Sequence, residues 1–140
     1  MGESLISQEL IDAYTATSYV VDYPSAFTLK VGTHSEELAR LYGNAGVNTA
    51  CFITAYNPFS VLFTPPHNVA RQAELLNEIA AFKLKFVFGY GQSNDSEWKE
   101  PSVLILSITY DESMELAVKH EQNAFIWCDE HATPKLVLTR

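Results

Sequence analysis

Ala50-Cys51-Phe52-Ile53-Thr54-Ala55-Tyr56-Asn57-Pro58-Phe59-Ser60 (ACFITAYNPFS) is the stretch on which the fold turns. Its first half, read together with Thr49, is apolar on both sides of a strand over Thr49–Ala55. That pattern belongs to a strand inside a sheet, covered on both faces. Its second half breaks off at Asn57-Pro58, where proline ends strand pairing. Hydrogen-bonding side chains on Thr54, Tyr56 and Asn57 are thereby gathered at one strand end, which reads as the floor of a site.

Outward from this strand, helical and strand patterns alternate. On the C-terminal side, Phe59–Phe63 is an apolar loop. Thr64-Pro65 then opens a helix with a capping hydroxyl and a proline at its first position. That helix is expected to run to about Phe82, with Val69, Ala73, Leu76, Ile79 and Ala80 facing the core and Asn68, Arg71 and Gln72 on another side. Leu84–Gly89 reads as a strand, Tyr90–Pro101 as a long loop with two glycines, and Ser102–Thr109 as an apolar strand. Asp111 is expected to cap a last helix ending near His120-Glu121-Gln122-Asn123. Strands over Ala124–Cys128 and Lys135–Leu138 follow. On the N-terminal side, Ser7 caps a short helix carrying Leu10, Ile11 and Tyr14. Thr15–Asp22 and Ala26–Val31 form a hairpin, and Ser35 starts a helix presenting Leu38, Leu41 and Tyr42. Helices between strands favour parallel crossovers, and hairpins at both ends add antiparallel pairs. The expected fold is therefore α+β with α/β-like character. It is one domain over residues 1–140, a mixed parallel and antiparallel sheet with about three main helices packed on it.

Bulk properties bound the function. The chain has 140 residues, 47% of them apolar, which suffices for a real core. Its formal net charge is −8. Such a charge opposes binding to nucleic acid, where a positive field must displace counterions from phosphates. No apolar run reaches the length of a membrane span. MGESLISQEL lacks the basic start and apolar core of a signal peptide, and Ile6 stands where a myristoylation signal after Met1-Gly2 needs Ser or Thr. The expectation is a cytoplasmic protein in which Cys51 and Cys128 are buried free thiols.

Three stretches could carry chemistry. The first joins Tyr56 and Asn57 to Asn68, Arg71 and Gln72. Ligands bind outside the carboxyl ends of strands, and a helix start supplies free N–H groups to which Arg71 adds a fork suited to carboxylate or phosphate. Read against this, Asn57-Pro58 is a plain turn and the three helix residues form a solvated face, which residue physics alone favours. The second is Gly89–Ser102, with Trp98 as a lid or stacking surface and Glu100 as a desolvated carboxylate suited to general-base work. There the plain alternative is a Trp covering the core edge and a Glu paired with a base. The third holds His120 as a proton carrier or a helix cap, with Gln122 beside it. His34, His67, His120 and His131 show no ligand spacing, so no metal is expected, and the ordinary nucleophile and phosphate-binding motifs are absent.

Taken together, Thr54-Ala55-Tyr56-Asn57-Pro58, Asn68-x-x-Arg71, Gly89 and Gly91 before Trp98-x-Glu100-Pro101-Ser102, and Gln122-Asn123-Ala124 carry a likeness. From about Tyr14 to Leu138 the chain resembles a family of short single-domain bacterial proteins of unknown function. The resemblance implies no activity, substrate or cofactor. It does give weight to the polar residues of those marks, since a solvated face is not what defines a family. Three functions follow as expectations. The leading one is a binding domain for a small polar, anionic ligand such as a nucleotide or metabolite, held by Thr54, Tyr56, Asn57, Asn68, Arg71, Gln72, Trp98 and Gln122. The next is a hydrolase or transferase using Glu100 and Arg71, with His120 as the acid. The third is a protein-interaction module using Phe59, Leu62 and Phe63.

Overall fold

The computed structural model describes residues 4–140; Met1-Gly2, weighed above as a lipidation signal, lies outside them. Seven strands form one sheet: β1 (Ser18–Val21), β2 (Phe27–Leu29), β3 (Ala50–Ile53), β4 (Phe86–Gln92), β5 (Lys99–Leu106), β6 (Ala124–Cys128) and β7 (Pro134–Leu138). Four helices accompany them: α1 (Gln8–Ala16), α2 (Glu36–Ala45), α3 (Pro65–Ala81) and α4 (Tyr110–Lys119).

The strand order is β2-β1-β4-β5-β3-β6-β7, and every neighbouring pair is antiparallel. This corrects the expected mixed sheet with about three main helices. The helical crossovers themselves are real. Alternating directions along the sheet make β3 and β4, joined by α3, run the same way. So do β5 and β6, joined by α4. In each case one antiparallel strand lies between the two, β5 in the first and β3 in the second. No parallel pair therefore forms. The segment β3-α3-β4-β5-α4-β6 has the split βαβ order of a ferredoxin-like unit, with the β1–β2 hairpin added at one edge and β7 at the other.

Side-chain alternation sorts the core into two layers. Leu75 and Ile79 of α3 and Leu116 and Ala117 of α4 pack against Cys51, Ile53, Val103, Ile105 and Phe125 on one face. Leu38, Leu41 and Tyr42 of α2 pack against Tyr19, Val21, Phe52, Leu104, Leu106 and Ile126 on the other. The two cysteines are free and buried, and burial pushes the Cys51 thiol up to about 12.

Three local differences from the sequence reading matter for the site. Tyr90–Pro101 is not a long loop: β4 and β5 continue as a hairpin through Gln92↔Lys99, leaving only residues 93–98 as the turn. A glycine-bearing strand survives here because a Cβ on Gly89 would run into the Val20 carbonyl oxygen of β1, so the close approach of β1 requires glycine. Next, the expected core face of α3 holds at Ile79, buried, and Leu76, packed partly buried against the core, but not elsewhere. Val69, Ala73 and Ala80 are exposed, and the inward stripe is Asn68, Leu75 and Ile79. Asn68, Arg71 and Gln72 extend that stripe toward the helix start, so they face the protein. Finally, α4 is capped by Thr109 in a reciprocal capping box with Glu112, two residues before the expected Asp111.

Candidate functional site

β3 is short, and the site exists because of it. Its pairing with β5 stops at Ile53↔Val103 and with β6 at Phe52↔Ile126, yet β5 begins at Lys99 and β6 at Ala124. A gap is left between β5 and β6 beyond the end of β3. The chain from Thr54 to Ser60 occupies it in an irregular course, with Asn57, Phe59 and Ser60 all at positive φ. That backbone is expensive for residues other than glycine and must be held from outside.

Side chains of α3 and of the turn after α4 hold it, together with Thr54 and Asn57 of the segment itself. Gln72 Oε1 accepts from the Ala55 N–H at 2.8 Å. Asn68 accepts from the Asn57 N–H at 2.8 Å and donates to Asn57 Oδ1 at 2.8 Å. Asn57 Oδ1 also accepts from the Phe63 N–H at 2.9 Å. Thr54 donates its hydroxyl to the Pro101 carbonyl at 2.7 Å, where β3 has already left β5. Arg71 donates to the Ala55 carbonyl at 3.0 Å and the His120 carbonyl at 2.7 Å, and pairs with Glu121 at 3.5 Å. Gln122 donates to the Tyr56 carbonyl at 3.1 Å, and the Phe59 N–H donates to the Glu121 carbonyl at 2.6 Å. These bonds tie the chain after β3 to α3 on one side and to the turn after α4 on the other.

In front of this braced segment lies a cleft of about 630 Å³, on the sheet face that α2 also covers and roofed by Leu10, Ala13 and Tyr14 of α1. Tyr19, Phe52, Gly91, Glu100, Ser102, Ile126 and Leu136 from the sheet line it, with Trp98, Tyr56, Leu62 and Phe63 around them. Gly91 leaves bare backbone, and a Cβ there would sit 3.7 Å from the Trp98 ring. Glu100 stands among these apolar walls. Asn57 Nδ2 donates to its Oε2 at 3.0 Å, the one hydrogen bond its carboxyl receives among the described residues. Burial pushes this carboxyl up to about 7, against the lowering effect of the Asn57 bond. Burial likewise raises the Tyr19 hydroxyl, which donates to the Tyr14 carbonyl at 2.6 Å. At the far wall Asn123 donates to Tyr14 Oη at 3.1 Å and to Ser60 Oγ at 3.2 Å.

The structure thus brings Thr54, Tyr56, Asn57, Asn68, Trp98, Glu100 and Gln122 to one cleft. Arg71, Gln72 and His120 are not among its lining residues. The Arg71 guanidinium and the Gln72 amide are turned to backbone groups behind the cleft wall. His120 is buried with Nε2 at 2.9 Å from Glu78 Oε1, without hydrogen-bond geometry. Several lining residues were not expected in the site: Tyr14, Tyr19, Phe52 and Ser60, while Ser102 and Asn123 stood only within the marks of the family likeness. Tyr14 sits in an amphipathic stripe that resembles any core stripe, and only the Gln122-Asn123 pair stood out in the sequence. Among the described residues no three His, Cys, Asp or Glu side chains converge to hold a metal, and no helix is long and apolar enough to cross a membrane.

A family described as a protein of unknown function, DUF3293, matches residues 53–125, just over half of the chain. The chain belongs to this family. The stretch that DUF3293 matches runs from the last residue of β3 to the second of β6. It carries the braced segment and the polar end of the cleft, whereas α1 and Tyr19 lie outside it. No curated protein matches the chain, and no solved structure does.

Proposed function

We propose that the chain binds one small organic metabolite in the cleft between α1 and the sheet. The observation that supports this is the convergence of Glu100 and the Asn57–Asn68 pair at one end of an aromatic-lined cleft of about 630 Å³. A concave site with apolar walls and a few fixed polar groups is the usual form of a small-ligand site. The strained backbone of Asn57–Ser60, held by Asn68 of α3 and by the Glu121 carbonyl after α4, supports a wall that keeps its shape without the ligand. An anionic ligand was expected because of Arg71. With that guanidinium engaged on two backbone carbonyls, its charge is not presented to the cleft.

A thermal-shift screen of metabolites, followed by backbone amide shift mapping, tests the proposal. The expected hit raises the unfolding midpoint by several degrees near a hundredfold saturation and moves the amides of Asn57, Gly91 and Trp98. A screen whose hits all map elsewhere, or that yields none at millimolar concentrations, refutes it.

One observation favours a second reading, an enzyme using Glu100 for acid–base chemistry. A carboxyl at about 7 exchanges a proton near neutral pH, the condition for general catalysis. This reading requires turnover of a cleft ligand with a rate that depends on pH around 7 and disappears in Glu100→Gln. Binding without turnover leaves the first reading alone.

A further inference from the structure

We infer that the cleft takes a ligand bearing a protonated amine, or another compact organic cation, on an apolar body, with the cation seated between Glu100 and the aromatic walls. This rests on the reading of the cleft as a small-ligand site and assigns its ligand class.

The first support is the placement of charge. Glu100 is the single carboxylate among the described lining residues, and Lys99 is the single lining cation. Strand alternation sends Lys99 to the opposite face of the sheet from Glu100, where its ammonium lies 3.9 Å from the centre of the Tyr90 ring. The nearby cations are engaged elsewhere. Arg71 holds two backbone carbonyls behind the wall. Arg140 lies over the Phe59 ring at 4.2 Å and donates to Asn123 Oδ1 at 2.8 Å. Lys30 donates to the Ala16 carbonyl at 2.9 Å. A carboxylate or phosphate entering this cleft meets Glu100, while the lining Lys99 carries its ammonium over the Tyr90 ring on the other face.

The second support is the walls. Tyr14, Tyr19, Tyr56 and Trp98 line the same cleft as Glu100, while the Phe63 ring already has the Arg71 guanidinium 5.8 Å from its centre. Aromatic faces attract a cation most strongly where water is excluded, and they replace part of the hydration an ammonium loses. A carboxylate in such surroundings carries a desolvation cost that a bound cation offsets.

Proton linkage follows. The other titratable groups lining the cleft are Tyr14 from α1, Tyr19 from β1, Tyr56 after β3 and Lys99 next to Glu100 on β5, with Gly91 on β4 offering none. The carboxyl titrates at about 7 in the free protein, so a cation displaces its proton below that pH. Affinity for an amine should rise as pH climbs toward 7 and level off above it. An uncharged analogue should lack that rise, and a carboxylate analogue should show the reverse.

The experiment uses 4-phenylbutylamine, 4-phenylbutanol and 4-phenylbutyrate, which share one body and differ in head group. Each is titrated into the isotopically labelled full chain at several pH values on either side of neutrality, with amide shifts as the readout. The expected result is tightest binding by the amine, with affinity rising up to about tenfold per pH unit below neutrality. Glu100→Gln should abolish the rise and weaken the amine at least about tenfold at alkaline pH. The wild-type pH profile tests the inference even if that variant misfolds. If the alcohol or the carboxylate shifts the cleft amides at least as tightly at alkaline pH, the amine class is wrong and the cleft stands. If none of the three moves a cleft amide at millimolar concentration, the amine inference falls, and the metabolite screen decides the small-ligand reading separately.

Discussion

The two faces of the sheet treat polar residues in opposite ways. Behind the sheet, α3 and α4 close over a dry layer in which Leu75 and Ile79 are fully buried. There the polar side chains at the start of α3 are consumed by the backbone of residues 54–57. In front, α2 covers one part of the sheet and α1 stands off the other, leaving Glu100 in a cavity with one hydrogen bond. The difference teaches that residue type does not separate a brace from a binding group. Arg71, Gln72 and Glu100 are equally capable of either role. What separates them is whether a backbone group without a partner lies within reach. The irregular course after β3 supplies several such groups to α3, whereas the neighbour of Glu100 on β4 is a glycine.

That contrast can be broken first in the dry layer. Leu75→Ala should cost about 2–5 kcal/mol in denaturant unfolding, because α3 and the sheet cannot collapse onto the vacated volume. A loss below about 1 kcal/mol would mean the layer is not packed as described. Asn68→Ala comes next, at about 2 kcal/mol. It leaves the Asn57 N–H unpartnered and removes one of the two donors to Asn57 Oδ1, the Phe63 N–H remaining. Hydrogen exchange at Asn57 and Phe63 should accelerate more than exchange in α4; uniform acceleration would deny the local bracing.

Glu100→Gln sharpens the other side of the comparison, because its sign depends on pH. Folding raises this carboxyl from its ordinary 4.5 to about 7, so the folded state holds the proton more tightly than the unfolded one. Stability contributed at Glu100 is therefore greatest below 4.5 and declines as pH rises to about 7. The ceiling of this loss is about 3 kcal/mol, and water in the cleft reduces it to about 1–2. Glu100→Gln should stabilise the protein by that amount at alkaline pH and change little under acid conditions. Destabilisation at alkaline pH would show that the carboxylate is paired and not stranded. The smallest effect belongs to the rim. Leu62, 88% exposed, should tolerate serine within about 0.5 kcal/mol. The same change should weaken any ligand that contacts the rim, measured by the same amide titration.

How much of this could be read from the chain follows from particular residues. The burial of β3 was legible because ACFI is apolar on both sides, and the start of α3 because Thr64-Pro65 is a local signal. The strand character of Tyr90–Gln92 was not, since Gly91 beside Gly89 argues for a loop until the pairing with β1 and β5 is known. The inward face of the first turns of α3 was missed because it holds Asn68, Arg71 and Gln72, and a polar helix face reads as solvated until its backbone partners are known. Tyr14 was visible, but as a core residue.

By itself the sequence determined the elements, their order, the break after β3 and the polar residues that cluster beside it. Those follow from side-chain period, capping and proline, which act over a few residues. Only the tertiary structure decided that no two parallel strands are neighbours, because a strand's pairing partner depends on which strand is inserted beside it. It also decided that Arg71 supports the wall while Glu100 faces the cleft. That assignment depends on which unsatisfied backbone groups and which empty volume the folded chain places next to each side chain, and neither exists before the fold does.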